Sequence, residues 1–360
     1  MPYAKVHRLA TSSPDDVSGL AAGIADGTIS PEGIVAILGK TEGNGCVNDF
    51  TRAFAVQSLK AELSRHLSPT AVDSVAYVMS GGTEGALSPH LLVFERAAGQ
   101  SAPGPALAIG RALTKDLPPH LLGKLGQVEI VARGVRAAIA DAGLTDPADV
   151  HFVQIKCPLL TADRIKNAEA QGFSMATRDT LKSMGLSRGA SALGVGVALG
   201  EIDISSLDDS SIGRDVSRWS SRASTSAGVE LTNHEIVVLG MSHDWSGPLA
   251  IDHAVMADAI DVNPVRAALE RLGIAEDTSS LVALLAKAEP GTSGRLRGSR
   301  HTMLDDSDIS STRHARAFVG GVLAGLVGMS EIFVSGGAEH QGPDGGGPVA
   351  LIAARRGAGI

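Results

Sequence analysis

The sequence has few aromatic residues and only two cysteines. Aromatic residues make up 3% of the 360 residues, so side chains on which nucleic-acid bases could stack are scarce. Cys46 and Cys157 cannot build a disulfide framework, and no group of Cys and His has zinc-finger spacing. A reducing compartment fits this composition.

Excess positive charge and long apolar runs are also missing. The 31 basic and 39 acidic residues give a formal net charge of −8, which offers no general attraction to nucleic acid or anionic lipid. No apolar run reaches about 18 residues, the length that crosses a membrane, and the start, MPYAKVHRLA, lacks the apolar core of a signal peptide. We therefore expect a soluble, cytoplasmic protein without nucleic-acid or membrane partners.

What the sequence has is length and internal repetition. A chain of 360 residues exceeds what one compact core usually fills, so two or three packed units are expected. The pattern Ser-(Gly/Ala)-Gly-x-Glu occurs three times, starting at Ser80, Ser226 and Ser335. An apolar run starts 10 to 14 residues after each serine, which predicts that the motif lies in a hairpin-like connection.

Each repeat also carries one lysine and one arginine at matching places. The lysines end an apolar, strand-like run; they are Lys40, Lys156 and Lys287. The arginines open a helix-like stretch rich in Ala, Gly and Val; they are Arg52, Arg188 and Arg316, with Arg313 as a competitor for the third place. The repeating unit is thus strand, helix, strand with Lys, helix with Arg, strand with Ser, and strand.

This order predicts an α+β fold of three homologous α/β repeat units, each a mixed sheet with helices on one face. Turn-forming residues between the repeats place the units at 1–103, 104–242 and 248–360. Residues 203–225 interrupt the second unit, and we expect them to form a long loop or a lid.

The repeated residue types indicate acyl-transfer chemistry on a small anionic ligand. A neutral lysine can remove the proton of a serine nucleophile, and a cation about 6 Å away biases the lysine toward its neutral form by roughly 2.8 kcal/mol at an effective dielectric of about 20. A serine hydroxyl beside a main-chain N–H forms a clamp for a carbonyl oxygen. Three such clamps around one cavity predict a planar ligand whose carbonyls are spaced about a threefold axis. The glutamates of the motif, Glu84, Glu230 and Glu339, are expected to hold their turns by accepting main-chain hydrogen bonds.

The triplicated Lys, Arg and Ser-(Gly/Ala)-Gly-x-Glu set, together with the ending VSGGAEHQGPDGGGP, closely resembles the cyanuric acid hydrolase and barbiturase family of ring-opening amidohydrolases. The resemblance covers essentially the whole chain. It implies three chorismate-mutase-like units packed around a pseudo-threefold axis, a small planar cyclic imide as substrate on that axis, and a homotetramer.

The resemblance also implies roles for particular residues. Ser226 would be the nucleophile and Lys156 its base, with Lys40 and Lys287 as supporting lysines; the residues alone do not choose among the three units. The arginines Arg52, Arg188 and Arg316 would bind the ring oxygens. The substrate clamps would be Ser80 with Gly81, Ser226 with Ala227, and Ser335 with Gly336.

The family further implies a divalent cation, Mg²⁺ or Ca²⁺, and no organic cofactor. The matching positions are Glu289, Ala338, Gln341, Gly342, Pro343 and Gly346, an oxygen set that suits a hard ion. The implied reaction is ring opening of cyanuric acid to carboxybiuret. Two alternatives stay open: a barbiturase that opens barbituric acid to ureidomalonate, with the choice expected near residues 311–316, and a binding module without catalysis.

Overall fold

The computed structural model describes residues 1–99 and 104–355. The predicted boundary between residues 103 and 104 therefore falls at the edge of the part that the structure leaves out. Twelve of the strands form three four-stranded sheets, and each sheet is built from strands of one stretch of the chain.

The first sheet has the order β1-β4-β2-β3. Its strands are β1 (Pro2–Ala10), β2 (Ile34–Thr41), β3 (Ala76–Gly81) and β4 (His90–Ala98). Strands β2 and β3 are parallel, and the other neighbours are antiparallel. The helices of this stretch are α1 (Ser18–Ala25), α2 (Phe50–Leu63) and α3 (Pro69–Ser74).

The second sheet repeats this order as β5-β8-β6-β7. Its strands are β5 (Ala106–Leu113), β6 (Val150–Pro158), β7 (Ala223–Gly228) and β8 (Glu235–Ser242). The helices of this stretch are α4 (Leu125–Asp141), α5 (Ala162–Ala170) and α6 (Thr180–Ala198). Helix α6 can pack closely on α4 because it is rich in small residues: a Cβ at Gly194 would lie 2.7 Å from Val131 Cβ.

The third sheet again has the same order, β9-β14-β10-β13. Its strands are β9 (Leu249–Met256), β10 (Leu281–Ala288), β13 (Phe333–Gly336) and β14 (Gly347–Ala354), and a small hairpin adds β11 (Arg295–Leu296) and β12 (Ser299–Arg300). The helices are α7 (Asn263–Arg271) and α8 (Ser311–Val327). Short 3-10 turns precede β2, β6 and β10.

The three sheets share one central core. Alternate residues of each strand point to opposite faces, and one face of every sheet contributes to a common apolar cluster, as Ala36, Phe152 and Ala283 do. The other faces of the first and third sheets pack against their own helices, with Ile37 and Leu284 as members of those separate clusters. The α+β architecture of three homologous units around a pseudo-threefold axis, predicted from the sequence, is confirmed.

One local expectation was wrong. The serine motif does not lie in a hairpin, because β3 and β4 are both neighbours of β2 and are not paired with each other; the serine ends an edge strand that runs parallel to the lysine strand. The interruption at 203–225 is mostly a long loop, as expected; it includes one 3-10 turn (Ile204–Ser206), and its last three residues begin β7. In the described residues, no helix combines the length and the apolar character needed to span a bilayer.

Candidate active site

The three lysines and the three serines stand directly opposite one another in the sheets. Parallel pairing of the lysine strand with the serine strand joins Lys40 to Ser80, Lys156 to Ser226 and Lys287 to Ser335. Side chains at the same level of adjacent strands point to the same face, so each unit presents a Lys/Ser pair on one side of its sheet.

A small cavity lies where the three pairs meet. Its walls include every residue predicted to contact the substrate, together with Lys156: Arg52, Ser80, Gly81, Arg188, Ser226, Ala227, Arg316, Ser335 and Gly336. Gly45 and Met184 complete the walls, and sequence reasoning missed both because neither belongs to a repeated motif. Lys40 and Lys287 are buried behind their serines and do not line the cavity.

The lysines link the three units in a cycle. Each ammonium group donates to the main-chain carbonyl of the residue just before the motif serine of another unit. The three bonds are Lys40 Nζ to Val334 O at 2.8 Å, Lys156 Nζ to Met79 O at 2.6 Å and Lys287 Nζ to Thr225 O at 2.8 Å. The cavity is therefore rigidly framed by contacts that no single unit could make.

The second unit departs from this symmetry at its serine. Lys40 donates to Ser80 Oγ and Lys287 donates to Ser335 Oγ, each at 3.3 Å. In contrast, Ser226 Oγ is buried and has no hydrogen-bond partner among the described residues, and Lys156 Nζ lies 2.9 Å from Glu230 Oε1. A buried hydroxyl without a partner costs free energy, and here it faces the cavity.

The motif glutamates pair with the arginines of neighbouring units, a contact that sequence reasoning missed; Glu230 and Glu339 also accept main-chain hydrogen bonds, as expected. The pairs are Arg52 Nε with Glu230 Oε1 at 3.1 Å, Arg188 Nε with Glu339 Oε2 at 2.8 Å and Arg316 Nε with Glu84 Oε2 at 2.6 Å. Arg316, and not Arg313, thus takes the third place in the ring; Arg313 lies on the wider opening outside the cavity. The carboxylates fix the guanidinium groups around the cavity.

All three lysines have a lowered pKa, and burial is the main cause. For Lys287, burial and then the Arg188 guanidinium lower the pKa to about 7. Burial also lowers the pKa of Lys156, where the Glu230 carboxylate opposes the shift and Arg52 adds to it. Like charges were the expected cause, but burial has the larger effect, since each lysine is 1% exposed.

Close packing explains why only the second unit tolerates alanine after its serine. A Cβ on Gly81 would lie 1.7 Å from Asp49 Oδ2, and a Cβ on Gly336 would lie 2.3 Å from Thr312 Cγ2. Ala227 carries its methyl group while 4% exposed. The second glycine of the motif in the first unit, Gly82, is required by its backbone conformation as well as by packing. Its φ is +109°, and a Cβ would lie 2.2 Å from the Arg316 guanidinium.

A wider opening leads from the cavity to solvent. It is bordered by the loop around Asn44, by the start of α6, by Arg214 of the 203–225 loop and by the first turn of α8. The 203–225 loop is held to the third unit, since Gly213 N donates to His340 Nε2 at 2.7 Å and Ser220 N donates to His340 O at 2.9 Å. This loop therefore forms part of the rim.

Only some of the residues predicted to bind the cation lie around one pocket. Glu289, Ala338, Gly342 and Pro343 border one pocket, where burial and the neighbouring Glu339 raise the pKa of the Glu289 carboxyl to about 7. The side chain of Gln341 is already used: its Oε1 accepts from Thr225 N at 2.6 Å and its Nε2 donates to Gly337 O at 3.1 Å. Gly346 does not border this pocket and donates its N–H to Pro343 O at 2.9 Å. A buried carboxylate beside a carbonyl-rich turn fits a hard cation, with Gln341 able to offer only its main-chain oxygen.

Fold and cavity together define a class of protein in which three homologous units gather serine, lysine and arginine side chains around one small buried site. A family model described as amidohydrolase ring-opening protein matches residues 5–354. The chain therefore belongs to the ring-opening amidohydrolase family, and it is a hydrolase.

Individual relatives cover the whole chain. A cyanuric acid amidohydrolase of Azorhizobium caulinodans is 68% identical over 356 residues, which are 99% of each chain. The crystal structure of cyanuric acid hydrolase from A. caulinodans matches with a TM-score of 0.95 over 99% of this chain and 100% of that one, at 68% identity. A second cyanuric acid hydrolase structure, described as evolutionary innovation by structural concatenation, also gives 0.95, over 98% of this chain and 100% of that one, at 49% identity.

Proposed function

We propose that this protein opens the ring of cyanuric acid by hydrolysing one C–N bond, with carboxybiuret as the product. The observation that carries the proposal is the cavity lined by three serines and three arginines, one of each from every unit. Cyanuric acid has three carbonyl groups related by a threefold axis, so each can meet one serine clamp and one cationic side chain. The names of the relatives support the same substrate.

Ser226 is the proposed nucleophile because its hydroxyl alone among the three motif serines is buried without a partner. Its Oγ adds to a ring carbonyl carbon while its proton passes to the neutral amine of Lys156. The tetrahedral intermediate then breaks the ring C–N bond, and the proton moves from Lys156 to the leaving nitrogen. A water molecule, deprotonated by the same amine, hydrolyses the acyl-serine and releases the open product.

The environment of Lys156 supports its role as the base. Burial lowers the pKa of this lysine, which increases the fraction of neutral amine near neutral pH. We propose that the Ala227 N–H holds the carbonyl oxygen on which negative charge develops. Arg52, Arg188 and Arg316 offset the charge of an anionic ring.

We further propose that a hard divalent cation, Mg²⁺ or Ca²⁺, is held by Glu289 with main-chain oxygens of residues 338–346. When bound, it would offset the charge of the buried carboxylate and brace the turn beside Ser335. The proposal also includes a homotetramer in the cytoplasm, as expected from the resemblance; light scattering coupled to size-exclusion chromatography measures the oligomer.

A spectrophotometric assay tests the substrate and the dyad. We expect purified protein to consume cyanuric acid, seen as loss of ultraviolet absorbance, and Ser226→Ala and Lys156→Ala to abolish turnover while keeping the wild-type Tm within a few degrees. A larger kcat/KM for barbituric acid would identify a barbiturase instead. Tight binding of cyanuric acid without turnover in the wild type would identify a binding module, and full activity of Ser226→Ala would reject the assigned nucleophile.

A further inference from the structure

The three seams between units are built around one common contact. The first strand of each sheet sends a side chain to the start of the lysine strand in a neighbouring unit. At two seams this side chain is an arginine: Arg8 Nη1 donates to Val282 O at 3.1 Å, and Arg111 Nη1 donates to Val35 O at 3.2 Å. Each of these acceptor valines stands five residues before the lysine of its strand.

The seam between the second and third units replaces both partners with histidine. Strand pairing places His253 of β9 at the position of Arg8 in β1 and Arg111 in β5. His151 stands five residues before Lys156, at the position that a valine takes in the other two units. An arginine-to-carbonyl contact has thus become a pair of facing imidazoles.

These imidazoles and a carboxylate form a compact set of metal-ligand atoms. His151 Nδ1 lies 3.0 Å from His253 Nδ1 and 3.7 Å from Asp252 Oδ1, and one atom from each residue lies within 4.8 Å of the others. Arg271 Nε holds the second carboxylate oxygen, Oδ2, at 2.5 Å, which orients Asp252 with Oδ1 toward His151. The side chains of His151 and Asp252 are 19% and 14% exposed, so an ion can reach the set from solvent.

We propose that His151, Asp252 and His253 bind a divalent transition-metal ion of the zinc class at this seam. In a tetrahedral site with bonds of about 2.0 to 2.1 Å, ligand atoms lie about 3.3 Å apart, a value between the two separations seen here. Two imidazole nitrogens and one carboxylate oxygen suit Zn²⁺, Co²⁺ or Ni²⁺ better than Mg²⁺ or Ca²⁺, which distinguishes the set from the oxygen ligands around Glu289.

The protonation states agree with ion binding. Between the two facing Nδ1 atoms only one proton fits. An entering ion takes its place, and the proton moves to Nε2 of the same ring without net loss. The nearby cations Arg222 and Arg271 oppose an added charge, and the carboxylates of Asp149 and Asp252 offset them.

The ion would cross-link the second and third units and would take no part in ring opening. His151 and Lys156 lie five residues apart on β6, which corresponds to roughly 16 Å along a strand. This cross-link joins the start of β6 to β9. At the other two seams, an arginine makes the equivalent contact. Bound ion is therefore expected to raise stability and to leave turnover unchanged.

The test uses metal-stripped full-length protein and two probe ions. We expect Co²⁺ to bind with ligand-field absorption bands that Zn²⁺ displaces, and Zn²⁺ to raise the Tm. The matched variant, His151→Val with His253→Arg, copies the other two seams and should fold, yet it should lose the cobalt bands and the Tm response to Zn²⁺. The single variant His151→Val is a smaller change, and it should also lose the cobalt bands and the Tm response to Zn²⁺.

Two further readouts make the outcome decisive. Glu289→Gln should keep the cobalt bands, because it alters only the proposed hard-cation site. The variant with His151→Val and His253→Arg should keep the kcat/KM of the wild type for cyanuric acid. Absence of cobalt bands in the wild type, or bands of equal intensity in the double variant, would overturn the proposal. So would a Tm response to Zn²⁺ that survives in both histidine variants.

Discussion

At the scale of single residues, Glu230 distinguishes the second unit. Its carboxylate accepts from Arg52 Nε at 3.1 Å and lies 2.9 Å from Lys156 Nζ, whereas Glu84 and Glu339 pair with an arginine only. Burial would raise the pKa of Glu230, but Lys156 and Arg52 together lower it. The base and an arginine of the cavity therefore share one counter-ion.

We predict that Glu230→Gln moves the acidic limb of the kcat/KM profile to lower pH. The Glu230 carboxylate favours the protonated form of Lys156, so its removal lowers the pKa of the base. Activity that needs the neutral amine then appears at lower pH as pH rises. The measurement is kcat/KM for cyanuric acid between pH 5 and 10, with Glu84→Gln as the matched control that should leave the limb in place. A limb displaced to higher pH would contradict the role of Glu230.

Position 81 gives a second test at this scale. We predict that Gly81→Ala lowers stability by about 1 to 3 kcal/mol, the usual effect of overpacking, because its Cβ would meet Asp49 Oδ2 at 1.7 Å. Asp49 also caps α2 by accepting from Thr51 N. The equivalent change in the opposite direction, Ala227→Gly, should cost about 1 kcal/mol or less. Thermal unfolding of both variants decides; equal Tm values would show that the first unit can relax around the added methyl group.

At the scale of elements, the sequence predicts single strands and helices better than it predicts which strands are neighbours. The lysine and serine strands were found from apolar runs and motif spacing, and their pairing brought Lys40 level with Ser80. The hairpin expectation failed because spacing along the chain does not reveal that β2 lies next to both β3 and β4. The site roles and domain boundaries stay predictions.

Contacts between elements of different units gave no local sequence signal. Arg188 and Glu339 are 151 residues apart, and nothing near either residue indicates the partner. The threefold repeat offered an indirect route: since Arg and Glu recur together in every unit, their pairing across units was the natural alternative to main-chain bonds. Gly45 and Met184 occur in no repeat and could not have been placed in the cavity wall.

A strand of the second unit also braces the first. Glu235, at the start of β8, accepts from the main-chain N–H of Tyr77 in β3 at 2.7 Å, and burial raises the pKa of its carboxyl to about 7. A carboxyl with a raised pKa in the fold stays protonated while the unfolded chain ionises. Stability therefore falls as pH rises from about 4.5 to about 7.

We predict that Glu235→Gln removes this dependence and raises the Tm at pH 8. The amide keeps an oxygen that can accept from Tyr77 N, but it has no charge to bury. The gain in free energy of unfolding at pH 8 is at most about 3 kcal/mol, from a pKa difference of about 2.5 units. Thermal unfolding at pH 5 and pH 8 measures it, and the exposed Glu276→Gln serves as control. A variant no more stable than wild type at pH 8 would show that the carboxylate is accommodated without cost.

At the scale of the whole molecule, three similar units form a site that none holds alone. Each of the three motif lysines donates to a main-chain carbonyl of another unit, and each of the three motif arginines pairs with a carboxylate of another unit. Symmetry of this kind gives three equivalent clamps, but a hydrolytic reaction needs one distinct nucleophile. The departures from symmetry at Ser226, Ala227 and Glu230 all fall in the second unit, which supports a division of labour between one reacting unit and two holding units.

The third unit differs in another way, and this difference predicts the response of the whole protein to hard cations. Glu289 is buried beside the like charge of Glu339, and Thr312 Oγ1 donates to its carboxylate at 3.3 Å. Mg²⁺ or Ca²⁺ bound there would stabilise the fold by mass action, so adding either ion to metal-stripped protein should raise the Tm. Glu289→Gln should abolish this rise, and the variant with His151→Val and His253→Arg should retain it, since its changes lie at a different site. If the rise persisted in Glu289→Gln, the hard cation would be bound elsewhere.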